Sequence, residues 1–420
     1  MQSIYNFWAN YADGFLLFNG RTGGLIRINN PAEKAKIEDT LNGKSHYMKA
    51  ELERAGFLWQ YERGLEVEAL LRRRTLLSQQ SQTVEIIVSP TYGCNFRCTY
   101  CYVCFDDYQM NAEDGDKIVK YLKKVIASHR QTTITWFGGE PLLMWEKVAE
   151  ISQELRDYAD SCNANLELLI TTNGYLLSGT VMKALYAAGI RWLHVTIDGC
   201  DAGQDTRRVV QGGGKTYQTV LDNFINAMSE YPDLHGTLRM NLEPDSIDLA
   251  NKLLTVIPQN LRAHIQVHPT PVILDGVERP VEFYTDVAKV VGNALDLGYA
   301  YYPNDVPIGR IKHCNAECCD CFQIGPKAEL FKCSPSNKPE VYVGDIDSDG
   351  VANFNEKNQI WQDCAEVEEQ CKKCKFLCFC QGGCRLNRLR GEHDKSCKTQ
   401  FYAMPQHIVN YMKWLRQKKT

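Results

Sequence analysis

Ser89-Pro90-Thr91-Tyr92-Gly93-Cys94-Asn95-Phe96-Arg97-Cys98-Thr99-Tyr100-Cys101 sets three cysteines at C-x₃-C-x₂-C spacing directly after the apolar run Val84–Ser89. A short apolar run bounded by turn residues reads as a strand, so the cysteines fall in the loop at its C-terminal end. Three thiolates this close can cap three corners of a cubane [4Fe–4S] cluster. A tetrahedral zinc site would want a fourth protein ligand. Three protein ligands leave one iron open to a small chelating molecule.

Downstream the strand pattern recurs at Thr132–Phe137, Leu166–Thr171, Leu193–Ile197, Thr237–Leu242 and His264–His268. Helical patterns lie between, for example Lys117–Ile126, Val181–Ala188 and Val220–Met228. Strand–helix alternation implies a parallel sheet with right-handed crossovers. The fold class is therefore α/β, a partial (βα)6 TIM barrel over residues 83–309, since a closed cylinder takes eight units. Ligands are expected at the C-terminal ends of the strands.

Those ends carry recognisable residues. Gly138-Gly139-Glu140-Pro141 follows the second strand. Glycines there permit close backbone approach to a ligand, and Glu140 can accept from an ammonium. Thr171-Thr172-Asn173-Gly174 ends the third strand and Thr196-Ile197-Asp198-Gly199 the fourth. Arg239, in the fifth, could pair with a carboxylate. Thr196 and Arg239 serve equally well as ordinary polar residues at strand ends.

Taken in order, the cysteine triplet, Tyr100 before its last member, and GGEP one strand later resemble the signature of the radical S-adenosylmethionine (SAM) superfamily. The resemblance implies that Cys94, Cys98 and Cys101 hold a [4Fe–4S] cluster whose open iron is chelated by SAM. It implies reductive cleavage of SAM to methionine and a 5′-deoxyadenosyl radical, which abstracts a substrate hydrogen. Gly138, Gly139, Glu140 and Pro141 would meet the SAM amino group, and the hydroxyl residue Thr196 the ribose. Cys104 lies outside that pattern.

There are 18 cysteines, and 12 of them fall between Cys314 and Cys397. In a reducing compartment such clusters read as metal ligands before disulfides. Cys371, Cys374, Cys380 and Cys384 form C-x₂-C-x₅-C-x₃-C, followed by Cys397. Upstream, Ile324–Cys333 reads as a strand–turn–strand delivering a cysteine. Residues 310–420 thus resemble the SPASM extension of peptide-modifying radical SAM enzymes, which carries two auxiliary [4Fe–4S] clusters. By that resemblance Cys371, Cys374, Cys380 and Cys397 hold an outer cluster. Cys333 and Cys384 join Cys314 and Cys318 on an inner one. Ala328 stands where the family usually has glycine. Cys319 and Cys321 crowd the inner set, while Cys364 and Cys378 are surplus. Paired zinc knuckles remain the alternative. The region has few apolar runs, so metal coordination is expected to supply stability.

Residues 1–82 open with a hairpin pattern, Phe15–Phe18, a Gly-rich turn, then Leu25–Ile28, with helical segments after Pro31 and around Leu52–Trp59. This resembles the small winged-helix-like α+β element that binds leader peptides by β-augmentation. The alternative is an N-terminal subdomain that merely packs on the barrel.

Composition excludes other classes. The 420 residues are 44% apolar and 23% charged with formal net charge −4, so nothing electrostatic favours nucleic acid. No apolar run approaches membrane-spanning length, and the opening MQSIYNFWANYADG lacks the features of a signal peptide. A cytoplasmic protein is expected. The expected activity is radical modification of a ribosomally made precursor peptide bearing a leader, with closure of a C–C or C–heteroatom cross-link and a flavodoxin or ferredoxin as electron donor. Formylglycine formation of the anaerobic sulfatase-maturase type and peptide epimerisation are alternatives, as is a zinc-binding adaptor without activity.

Overall fold

Why the middle of the chain forms a sheet is visible in its alternation. Strand β4 (Thr83–Val88) and strand β7 (Asn165–Thr172) bury every second side chain, the period of a pleated strand. The helix α4 (Ala112–Ser128) buries Ile118, Leu122, Val125 and Ile126 along one face. Asn111 caps it, accepting from the Asp114 N–H at 2.9 Å. The computed structural model describes residues 1–79, 82–103, 105–272, 279–302, 314–334, 340–362, 367–392 and 399–418.

Six parallel strands form the barrel: β4, β6 (Gln131–Trp136), β7, β8 (Ile190–Thr196), β10 (His235–Leu242) and β11 (Ile265–Pro271). Crossover helices include α4, α5 (Trp145–Ser161), α6 (Gly179–Ala187), α8 (Tyr217–Glu230) and α9 (Ile247–Val256). The expected six-stranded partial barrel is present. A small ladder, β5 (Phe96–Cys98) against β9 (Arg208–Val210), sits in its loops.

The sheet does not stop there. Strand β12 (Gln323–Ile324) pairs parallel with β4, and β13 (Glu329–Phe331), β14 (Tyr342–Ile346) and β15 (Ala352–Phe354) follow antiparallel. Ile324, Leu330, Val343, Ile346 and Trp361 join the main core with Ile86, Ile134 and Trp136. The cysteine-dense region therefore borrows the barrel's core, which corrects the expectation that it lacks one. Its later part carries short helices: α12 (Glu369–Lys372), α13 (Leu377–Cys380) and α14 (Arg385–Leu389).

The first region is three antiparallel strands, β1 (Asn6–Tyr11), β2 (Gly14–Asn19) and β3 (Leu25–Ile28), then α1 (Pro31–Leu41), α2 (Lys49–Arg54) and α3 (Arg63–Gln79). The Asn19 side chain fixes the turn, accepting from the N–H groups of Arg21 and Thr22. Tyr5, Phe7, Phe18 and Val67 pack with Leu377, Phe379, Met404 and Ile408 in a second core. The last two lie on helix α15 (Met404–Gln417). This region thus rests on the cysteine-dense region and the C-terminal helix.

Candidate active site

Parallel registry brings the expected residues to one end of the barrel. Val88 pairs with Trp136, Trp136 with Ile170, Thr172 with Val195 and Thr196 with Arg239. The loops that follow β4, β6, β7 and β8 therefore leave the sheet side by side, as the strand-end rule demands.

The cysteine loop and the GGEP segment are zipped together by their main chains. Gly139 N–H donates to the Thr91 carbonyl at 3.1 Å and Glu140 N–H to the Gly93 carbonyl at 2.9 Å. A Cβ on Gly139 would press on the Gly93 and Tyr92 carbonyls, and one on Gly138, at φ +123°, on the Thr91 carbonyl. The close approach for which these glycines are needed is to the chain's own cysteine loop. Glu140 is fully buried. Its carboxylate accepts from Leu142 N–H at 2.9 Å, Thr172 Oγ1 at 2.7 Å and Asn173 N–H at 2.8 Å. Burial pushes its carboxyl up and those donors pull it back. The side chain clamps the loop after β6 to the loop after β7. Pro141 starts the short turn that Glu140 caps.

Cys94 and Cys98 are half-buried and Cys101 is exposed. Phe96 N–H points at the Cys94 sulfur at 3.3 Å, and Asn173 Nδ2 lies 3.9 Å from it. Burial pushes the Cys94 thiol up to about 12, Phe96 N–H opposes this, and nearby Cys98 and Cys101 raise it further. Cys101 raises the Cys98 thiol as well, so Cys94 and Cys98 lose their protons only against strong positive charge. That donor set fits a cluster of irons. Among the described residues no three His, Cys, Asp or Glu side chains converge on one point for a single metal ion. The ligands of a cubane each bind a different iron, so they ring the cluster instead.

Behind the cysteines lies a polar network that sequence reading missed. Tyr100 donates to Asp198, while Arg208 Nη1 and Asn241 Nδ2 point at the Tyr100 oxygen at 2.8 and 3.1 Å. Asn241 N–H also donates to Asp198 at 2.8 Å. Arg208 is buried opposite Cys98 in the β5–β9 ladder, and its charge opposes the burial that raises the Cys98 thiol. The partners are 98 and 108 residues from Tyr100, so only Asp198, two residues past Thr196, offered a signal. Thr196 is buried, and Arg239 lies beside it with its charge disfavoured by burial. Tyr102 connects this end to the next cysteine group: the residue is exposed, its hydroxyl hydrogen-bonds Ser334, and it feels the charges of Arg239, Cys101 and Cys333.

In the second group Cys318 and Cys321 share a thiol hydrogen bond, with Cys314 close to Cys318. Cys321, which the expectation left out, is thus as well placed as Cys314. Buried Lys332, just before Cys333, donates to the carbonyls of Cys318, Cys319 and Cys321 at 2.6, 3.0 and 3.3 Å. Cys371 and Cys374 share a tight turn. Cys380 and Cys384 bracket Gln381, Gly382 and Gly383, all at positive φ. Cys378 is packed in the second core. Cys104, Cys364 and Cys397 lie outside the described residues.

Residues 88–246 match the Radical SAM superfamily. That stretch is a radical SAM domain, a kind of domain that works with SAM and an iron–sulfur cluster, and the protein is an enzyme. It is similar to the serine-type anaerobic sulfatase-maturating enzyme of Klebsiella aerogenes, 19% identical over 358 residues that span 79% of this chain and 88% of that protein. It is also similar to the radical SAM cyclopropyl synthase TigE of Paramaledivibacter caminithermalis, 22% identical over 432 residues, 89% of this chain and 86% of that one. Among solved structures, native anSMEcpe with bound AdoMet and Cp18Cys peptide matches at TM-score 0.62 and 20% identity over 79% of this chain and 99% of that chain. Streptococcus suis SuiB matches at TM-score 0.51 and 14% identity over 93% and 96%. At such identities the structural matches show the fold. No helix among the described residues is long and apolar enough to cross a membrane.

Proposed function

We propose that this enzyme modifies a ribosomally made precursor peptide by hydrogen abstraction and oxidative cross-linking, C–C or C–heteroatom. The observation that carries the reading is the first region. Its three strands and three helices rest on the cysteine-dense region through the second core, and β3 lies at the sheet's edge. An edge strand accepts an extended peptide by main-chain pairing. Residues 1–82 are then the leader-recognition element, 83–309 the barrel and 310–420 the auxiliary-cluster extension. TigE, similar over 89% of this chain, is in name a synthase of cyclopropyl groups.

Cys94, Cys98 and Cys101 would hold the SAM-binding cluster. Gly138, Gly139, Glu140 and Pro141, with Thr196 and Arg239, would border the space for SAM. The inner auxiliary cluster falls to Cys314, Cys318, Cys333 and Cys384, the outer to Cys371, Cys374, Cys380 and Cys397. When bound, these groups supply a hydrogen-abstracting radical and an acceptor for the electron that cross-linking releases. The chain's own part is positional. Glu140 locks the loops after β6 and β7, Arg208 and Asp198 hold Tyr100 behind the cysteines, and Tyr102 lines the path toward Cys333. A cytoplasmic flavodoxin or ferredoxin would deliver the reducing electron. Neither nucleic acid nor membrane is involved.

Formylglycine formation is the second reading, favoured by the similarity to the Klebsiella enzyme. Against it, Ser334 stands after Cys333, where the acidic group of that chemistry is expected. The test is anaerobic incubation of the reconstituted enzyme with SAM, reductant and a short peptide encoded beside its gene. Loss of two hydrogen atoms, no aldehyde trapped by a hydrazide and a residue pair that resists sequencing are expected. A trapped aldehyde supports formylglycine, and an unchanged mass with an inverted residue supports epimerisation. Serine at Cys94, Cys98 and Cys101 should abolish 5′-deoxyadenosine. If it does not, the cluster assignment falls.

A further inference from the structure

Three buried charged side chains join the first region to the inner cysteine group. Arg74 lies on α3, Glu317 between Cys314 and Cys318, and Arg388 on α14. Arg388 is one turn beyond Cys384, whose carbonyl its N–H bonds at 3.1 Å. Arg74 Nη2 donates to Glu317 Oε1 at 2.7 Å, and Arg388 Nη2 donates to the same oxygen. Each side chain is 9% exposed or less.

One carboxylate between two guanidiniums leaves a net buried positive charge, which is costly without an anion. The donor count gives the same answer. Among the described residues Arg388 Nε and Nη1 and Arg74 Nε are buried with no acceptor. Buried N–H groups without partners call for an explanation. The cysteines on either side would hold an anionic group here: Glu317 immediately precedes Cys318, and Arg388 follows Cys384 on the same helix. A [4Fe–4S] core on four thiolates is a formal dianion when oxidised and gains a further charge on reduction.

We propose that Arg388 donates its unpartnered N–H groups to the inner auxiliary cluster and raises its reduction potential, with Glu317 and Arg74 as positioning residues. This rests on the reading that Cys314, Cys318, Cys333 and Cys384 hold such a cluster. Donation to the cluster favours the more negative, reduced state. Because Arg74 belongs to α3, the electron affinity of that cluster is tied to the placement of the first region.

The experiment uses the full chain with Cys94, Cys98 and Cys101 changed to alanine, reconstituted so that only auxiliary clusters remain. About eight irons per chain are expected for two clusters. A redox titration followed by electron paramagnetic resonance then compares substitutions. Arg388→Gln should cut the reduced fraction of one cluster at fixed potential about tenfold, about 59 mV for a one-electron couple. Arg388→Lys should recover part of this. Glu317→Gln, which removes a nearby negative charge, should move the same midpoint upward. Opposite shifts from two neutralising changes report electrostatics, which a purely structural role would not produce. If Arg388→Gln loses a cluster outright, the midpoints measured for Arg388→Lys and Glu317→Gln decide. Eight irons with unmoved midpoints overturn the role of Arg388 and leave the clusters standing. A background protein without iron overturns the cluster reading itself.

Discussion

The two cysteine-bearing parts of the molecule are held in place by different means. The loop of Cys94, Cys98 and Cys101 is fixed by main-chain bonds to GGEP and by the β5–β9 ladder. Behind it stands a core of Ile86, Ile134, Trp136 and Leu168, against which Cys94 and Cys98 pack. The stretch of Cys371 to Cys384 has helices of four residues, too short to persist alone. Its Leu377, Cys378 and Phe379 pack into the core of the first region. One site is preorganised by the fold around it. The other is held by what packs on it and, on the proposed reading, by its metal.

Removing iron is the largest blow to that contrast. Anaerobic chelation is expected to open residues 367–392 to protease while the barrel strands stay intact. Peptide mapping by mass spectrometry checks the order of cleavage. Early cuts within residues 131–242 would show that the barrel too depends on its cluster, and the contrast would fail.

A smaller change should hurt the preorganised site most. Gly139→Ala puts a methyl against the carbonyls of Tyr92 and Gly93, which carry Cys94. Misplacement of reacting groups by about 1 Å costs about 100-fold in rate. We expect a loss of that order in 5′-deoxyadenosine formation, with iron content retained. Gly64→Ala, which meets open space on α3, serves as the neutral control.

How far the sequence carried the reading follows from the same contrast. The six barrel strands were legible because a strand's alternation is local: Val84–Ser89 was expected and Thr83–Val88 is observed. The cysteine triplet and GGEP were legible because they are contiguous. What lay opposite the glycines was not, since spacing says nothing of the facing chain. Strand β1 went unread, its Asn6 and Asn10 masking the inward Phe7 and Ala9. The core of the C-terminal region was misjudged because Ile324, Leu330 and Val343 are sparse locally and gain their burial from strands far earlier in the chain. Arg388 and Glu317, 71 residues apart, carry no motif at all.

The barrel strands also carry a pH signature. Burial, with Arg239 nearby, pushes His194 on β8 down to about 4 from 6.5. Between those values the unfolded chain binds a proton there that the folded chain does not. Stability is therefore intact above pH 6.5 and falls as the pH drops toward 4. The full cost is on the order of 3 kcal/mol by the size of the shift. Denaturant titrations at about pH 7 and about pH 4.5 should show this loss, reduced in His194→Gln. An equal loss in both proteins would place the acid sensitivity elsewhere.

The finest test concerns one residue in the turn between β12 and β13. Ala328 has φ +65° and is fully buried. Its N–H donates to the Gly325 carbonyl at 3.1 Å, and its carbonyl accepts from Ile346 N–H at 2.9 Å. Left-handed backbone costs a non-glycine residue about 1–2 kcal/mol. Glycine would relieve that but lose a buried methyl, about 0.8 kcal/mol, and free the unfolded chain by about 0.4–1 kcal/mol. The terms nearly cancel, so Ala328→Gly should change stability by less than about 1 kcal/mol. Ala328→Val keeps the strain and adds a branched side chain that left-handed backbone disfavours, so it should be the worse of the two. If glycine instead proves clearly stabilising, the buried methyl contributes little, and the turn that delivers Cys333 is held by its main-chain bonds, as the loop of Cys94 is.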